Sequence, residues 1–146
     1  MLKIRIRPAR ISDAVQLADL SGQLGYPSSA EDIRRRLRAI LRDPEHAVWV
    51  AEIDGATIAG WTHVFVKRLL ESDRDVEIGG LVVNERFRGR GIGKTLVKRA
   101  EQWAKSKRLK SVYVRSNVIR ESAHAFYQGL GYKIIKTQYA FRKSLV

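Results

Sequence analysis

The sequence predicts one α/β domain: a mixed β-sheet with about four helices packed on its faces, in the order β-α-α-β-β-β-α-β-α-β-β. Three observations point there. Period-two apolar patterns take turns with 3.6-residue apolar stripes along the whole chain. The 146 residues suffice for one substantial core and contain no linker, repeat or low-complexity tract, so residues 1–146 read as one domain. Hydrophobic residues make up 45% and charged residues 29%, the balance of a soluble globular chain.

Each element has its own local reason. "LKIRIR", residues 2–7, alternates apolar and cationic side chains, a strand with one wet face that Pro8 ends. Ser12 and Asp13 offer N-caps for a helix carrying Val15, Leu17, Leu20 and Leu24, which Gly25 stops. Ser29, with Asp32 three residues on, forms a variant capping box. It opens a helix with Ile33, Leu37, Ile40 and Leu41 inward and Arg34, Arg35, Arg36 and Arg38 mostly outward. In "HAVWVAEIDGATIAGWTHVFV", two β-rich runs flank Asp54-Gly55, a hairpin turn dipeptide. Residues 67–75 are polar and read as a loop. "VEIGGLVV", residues 76–83, is a buried strand whose Gly79-Gly80 pair signals a bulge or a close approach.

Ile92, Leu96, Ala100, Trp103 and Ala104 form the stripe of an amphipathic helix, and residues 111–114 form a short strand. A last helix over 121–130 turns Ala123, Phe126, Tyr127 and Leu130 inward, and Gly131 caps it. "YKIIK" and "YAFRKSL" close the chain as two strands.

Composition excludes several classes. With no cysteine, disulfides, thiolate metal sites and a cysteine nucleophile are ruled out, and His46 and His63 show no metal-ligand spacing, so no metal is expected. No apolar run is long enough to span a bilayer, and "MLKIRIRPAR" lacks a signal-peptide core, so a cytoplasmic location is the default. The 28 basic against 15 acidic residues leave +13, a surplus that attracts anions, whether nucleic acid, acidic proteins or a multiply phosphorylated ligand.

The chemistry concentrates in "ERFRGRGIGKTLV", residues 85–97, where glycines 89, 91 and 93 lie among arginines just as a helix begins. Such a turn lets backbone N–H groups approach an anion. A P-loop would need glycine at position 88, which is Arg, and a dinucleotide fingerprint would need glycine at 94, which is Lys. Arg88-x-x-Gly91-x-Gly93 instead resembles the pyrophosphate signature of the GNAT superfamily of acyl-coenzyme-A-dependent N-acetyltransferases. "RESAHAFYQGLGY", residues 120–132, resembles that family's second signature helix, and the element order over nearly the whole chain is also that family's.

The resemblance implies a mostly antiparallel sheet and acetyl-coenzyme A as cosubstrate. The amides of residues 89–94 would wrap its diphosphate, with Arg88, Gly89, Arg90, Gly91, Ile92, Gly93 and Lys94 as binding residues. It also implies that Leu81, Val82 and Val83 present backbone groups to the pantetheine arm and to the developing oxyanion, and that Asn117 contacts the coenzyme. About three additional residues separate Asn117 from Tyr127 relative to the shorter family pattern, so Arg120 or Glu121 is an alternative there. Tyr127 matches the family's general acid for the departing thiolate, and Glu77 occupies a position where many relatives carry the base. Glu77 would share a face with Gly79 and Leu81.

The implied reaction is direct attack by a primary amine of a small molecule within a ternary complex. The nearest resemblance is to aminoalkylphosphonate and aminoglycoside acetyltransferases. The positive charge favours an anionic amine, with Arg35, Arg38 and Lys67 as candidate anion contacts and Tyr26 and Trp61 as candidate pocket walls. Acetylation of a protein N-terminus or lysine is the alternative. A non-catalytic nucleic-acid-binding module is remote, because aromatics are not interleaved with the basic residues apart from Phe87. No membrane partner is expected, and the resemblance allows a homodimer.

Overall fold

The sheet begins at β1 (Ile4–Pro8) and runs through β2 (His46–Ile53), β3 (Thr57–Leu69), β4 (Ser72–Val83) and β5 (Val112–Val114), in spatial order 1-2-3-4-5. Neighbours are antiparallel except β5, which lies parallel to β4. The helices are α1 (Ala14–Leu24), α2 (Ala30–Leu41), α3 (Ile92–Ser106) and α4 (Glu121–Gly129). The mixed, mostly antiparallel sheet with four helices stands as the fold class. The computed structural model describes residues 2–146, which fall into two compact units: residues up to Val114, and Arg115–Val146. No helix among the described residues is long and apolar enough to cross a membrane.

In the first unit one sheet face packs on α1 and α2, where Leu17, Leu20 and Leu37 meet Val48, Val50 and Val82. The alternate residues of β2 face α3, with Trp49 and Trp103 edge-on at 6.1 Å between ring centroids. Ile92, Leu96, Ala100 and Ala104 are all buried, as their stripe predicts. Ser29 Oγ accepts the Asp32 amide at 3.0 Å, so Ser29 caps the start of α2. Gly25 ends α1 at φ +103, and Asp54 and Gly55 turn the hairpin with φ of 51 and 76.

Several expectations are corrected. The cationic face of β1 is not uniformly wet. Arg7 is buried, donating from Nη2 to Asp13 Oδ1 at 2.8 Å and from Nε to Glu52 Oε2 at 2.7 Å. Asp13 precedes α1 without capping it, because its carboxylate is committed to Arg7 and to the Arg10 amide. Val15 and Leu41 are exposed rather than inward, lying at the margins of their helix stripes. Residues 67–75 are mostly strand: β3 and β4 pair out to Leu69 and Ser72, and Lys67 and Asp75 approach to 3.7 Å across the ladder. The tip of this hairpin, residues 68–74, is exposed, so its sequence is mostly polar apart from Leu69 and Leu70.

In the second unit α4 ends at Gly129, with Leu130 as its C-cap and Gly131 beyond it at φ +91. Its apolar face is only half-buried. Residues 133–146 form no strand, so the two closing strands are absent among the described residues. A strand exists only where a neighbour satisfies its backbone, which local pattern alone does not supply.

Candidate active site

The most constrained stretch of the first unit is where β4 hands over to α3. Gly79 is an extra residue on β4: His63 pairs with Gly80 and Val64 with Ile78, so the ladder slips there. Both causes suggested by the glycine pair are present. A Cβ on Gly80 would sit 2.7 Å from the Trp61 ring, and one on Gly79 would sit 3.1 Å from Phe65 and 3.2 Å from His63 Nδ1. The slip also changes which side chains share a face. Glu77 pairs with Phe65, and Gly79 points the same way, but Leu81 pairs with Thr62 on the opposite face.

Beyond the bulge, β4 loses its outer neighbour. β5 pairs only with Val76, Glu77 and Ile78, while β4 continues to Val83. Leu81, Val82 and Val83 therefore carry one strand edge without a β5 partner among the described residues. Asn84 then accepts the Arg86 amide with its side chain at 3.0 Å, setting a short turn, and Arg88 Nε donates back to the Val83 carbonyl at 3.2 Å. Gly89 and Gly91 both adopt φ +78, a left-handed conformation that costs any other residue steric strain. Open space surrounds the Cβ position of each.

Gly91 is the N-cap of α3, so the amides of Ile92, Gly93 and Lys94 begin the helix without intrahelical partners. Arg88, Arg90 and Lys94 are exposed around this turn, and the Arg90 guanidinium sits 5.8 Å from the centre of the Phe87 ring. Together these features gather N–H groups without intrahelical partners and three exposed cations at one turn, chemistry that can bind an anion. The residues predicted to hold the coenzyme there, Leu81 to Val83 and Arg88 to Lys94, are thus brought together by one strand, one turn and one helix.

Glu77 lies lower on β4 and is buried, between Phe65 of β3 and Tyr113 of β5. Nearby on the same sheet face lies a pair that sequence reading missed. His46 Nδ1 and His63 Nε2 are 2.9 Å apart, with rings stacked at 5.2 Å and Phe65 stacked on His46 at 5.4 Å. Burial, and then the His46 charge, push His63 down to about 4, so it is neutral at physiological pH. Counting the hairpin register outward from the Ile53–Thr57 pair beside the turn would set His46 opposite Val64, with His63 on the other face; only the register shift at Ala51/Glu52 brings the two rings onto one face. The Trp61 indole N–H is buried with no hydrogen-bond partner. Of the candidate anion contacts, Arg35 pairs with Asp32 at 3.2 Å, Lys67 lies over the Tyr113 ring at 3.6 Å, and Arg38 is exposed; Tyr26 is also exposed.

Tyr127 and Asn117 belong to the second unit. Tyr127 is half-buried on α4, edge-on to Phe126 at 5.1 Å and to Tyr132 at 5.8 Å. Burial raises its phenol above the ordinary tyrosine value against the opposing charge of Arg120. The side chain of Asn117 accepts the Ile119 amide at 3.1 Å, and its carbonyl accepts from His124 Nε2 at 2.8 Å, so this residue shapes the loop before α4.

Similarity to known proteins agrees with this geometry. The model described as the Acetyltransferase (GNAT) family matches residues 13–132. N-acetylaspartate synthetase of Rattus norvegicus is 30% identical over 93 residues, covering 64% of this chain but only 30% of that protein, so the match spans under a third of its length. The uncharacterized N-acetyltransferase YjgM of Escherichia coli (strain K12) is 27% identical over 117 residues, covering 80% of this chain and 68% of that protein. The fold matches that of aminoglycoside N-acetyltransferase AAC(6')-Iy, solved in complex with CoA, with a TM-score of 0.86 and 20% identity over 98% of this chain and 96% of that one.

Proposed function

Since the chain belongs to the acetyltransferase (GNAT) family, we propose that residues 1–146 act as one domain that moves the acetyl group of acetyl-coenzyme A onto a primary amine of a small molecule, by direct attack in a ternary complex. The observation that carries this reading is the turn in which Gly89 and Gly91 both hold φ +78 as α3 begins. Two left-handed residues at one helix mouth turn successive N–H groups toward one point, which suits a diphosphate. Arg88, Arg90 and Lys94 add charge, and the edge of Leu81, Val82 and Val83 hydrogen-bonds the pantetheine arm as a strand would.

Three tasks remain for side chains and backbone. An alkyl ammonium holds its proton up to a pKa of roughly 10 in water, so a base must take it. Glu77 fills that role, directly or through water. Backbone N–H groups of Leu81–Val83 stabilise the negative charge that develops on the acetyl oxygen. Tyr127 protonates the departing thiolate; its raised pKa keeps the phenol proton in place across the physiological range. Asn117 supports coenzyme binding through the loop it organises.

The acceptor is an anionic amine. The chain carries +13, which repels polycations. The rat relative is named for N-acetylaspartate, an acetylated amine bearing carboxylates, which is the same charge class. Trp61, with its unpartnered N–H, walls the acceptor side, and the active particle is a homodimer. A panel of amino acids, aminophosphonates and aminoglycosides assayed with acetyl-coenzyme A by thiol release tests this. Turnover should be highest with the anionic amines; turnover confined to aminoglycosides or to peptides would overturn the substrate class.

A further inference from the structure

Two phases are open to the end of β4. In an even ladder, Thr62 would stand opposite Gly80 and Trp61 opposite Leu81. With Gly79 as a surplus residue, Thr62 stands opposite Leu81 and Trp61 opposite Val82. The two arrangements exchange every face beyond the slip, and with it the set of backbone groups that Leu81, Val82 and Val83 show on the edge β5 leaves open. The rings of Trp61, His63 and Phe65 explain why positions 79 and 80 are both glycine. They do not explain why the slip stays in place.

A directional contact does. Thr62 Oγ1 donates to the Gly80 carbonyl at 2.9 Å. Thr62 is fully buried, in the β3 row of Gly60, Thr62, Val64 and Val66, where it alone is polar. That row lies on the α3 side, since a Cβ on Gly60 would come 3.3 Å from Leu96 Cδ1. A hydroxyl among such neighbours is costly unless it is bonded, so valine would be the plainer core residue. A bulge breaks the regular exchange of ladder bonds and leaves backbone groups in want of partners. One hydrogen bond answers both demands.

We propose that Thr62 is a positioning residue of the acetyl-transfer site. Its hydroxyl pins the bulge and so holds Leu81, Val82 and Val83 in the phase that turns their N–H groups toward the thioester arm. This rests on the reading of that edge as the coenzyme's. Thr62 acts through the backbone and is itself sealed from solvent.

Thr62→Val removes the hydroxyl at nearly constant shape, and Thr62→Ala against Thr62→Ser repeats the comparison in a smaller volume, so the outcome does not hang on valine fitting. Amide hydrogen exchange between Ile78 and Val83, read without coenzyme, should quicken about 10-fold in Thr62→Val over wild type and in Thr62→Ala over Thr62→Ser, at unchanged circular dichroism. With acetyl-coenzyme A and a saturating amine, kcat should fall about 10-fold in the two variants lacking the hydroxyl, while KM for the amine moves less than about twofold and Thr62→Ser stays close to wild type. Wild-type exchange in Thr62→Val, or Thr62→Ser as impaired as Thr62→Ala, overturns the hydroxyl as the pin. Faster exchange with unchanged kcat overturns its tie to the site. A wild type that releases no thiol with any amine would instead sink the acetyl-transfer reading, and exchange would still decide the bulge.

Discussion

Acidification should expose the cost of keeping His63 neutral. Its pKa falls from 6.5 to about 4 in the folded protein, chiefly through burial and then through the His46 charge. A depressed folded value means that the unfolded chain takes up the proton first, so stability is complete above the unfolded pKa and drains away as pH falls toward the folded one. Linkage over that interval gives a loss of about 1.4 kcal/mol at pH 5.5 and about 3 kcal/mol at pH 4. Other groups titrate in the same range, so the informative quantity is a difference. Urea denaturation of wild type and of His63→Phe, which keeps a ring against His46 and Phe65, should give curves that converge by about 3 kcal/mol between pH 7.5 and pH 4. The His63 ring resonance should titrate near 4 by NMR. Parallel stability curves, or a midpoint near the ordinary histidine value, would refute the reasoning.

The other expectations concern the cradle, the acid and the buried ion network. Gly91→Val forces a β-branched residue to φ +78, so it should lower stability by about 1–2 kcal/mol and abolish coenzyme binding by calorimetry; tight binding would remove the turn from the site. Tyr127→Phe should reduce turnover about 100-fold with coenzyme affinity nearly unchanged, and full activity would take Tyr127 out of the chemistry. Asp13→Ala leaves the buried Arg7 with Glu52 alone and should cost about 3 kcal/mol in chemical denaturation. Burial alone would raise the Asp13 carboxyl, but the Arg7 and Arg10 hydrogen bonds outweigh it and hold it below its ordinary value. That contribution is therefore present at neutral pH and should disappear as pH falls through the low carboxylate range.

What could be read from sequence was what short-range chemistry decides. Ser29 and Asp32 start α2 by themselves, Asp54-Gly55 turns the hairpin by itself, and the glycines before α3 declare their backbone freedom in place. What escaped reading depends on distant partners. Arg7 looks like a solvent-facing cation until Glu52, 45 residues away, comes alongside it. The His46–His63 contact depends on hairpin register, and the face of Leu81 depends on a slip at Gly79 that the glycine pair hinted at without locating. The polar run 67–75 is strand because its two halves pair with each other, and 133–146 is not strand although its pattern says it should be. Both cases turn on whether a backbone neighbour exists, which composition does not encode.

The single surplus residue at Gly79 works as a phase shift. Just upstream of it, over Val76 to Ile78, β4 pairs with both flanking strands; downstream, it answers to β3 alone and then to the helix mouth. Anyone transplanting the segment from Gly80 to Lys94 between relatives must carry that offset along with it. A donor lacking the insertion would deliver the same letters rotated half a pleat, with the amides turned toward the wrong side of the sheet.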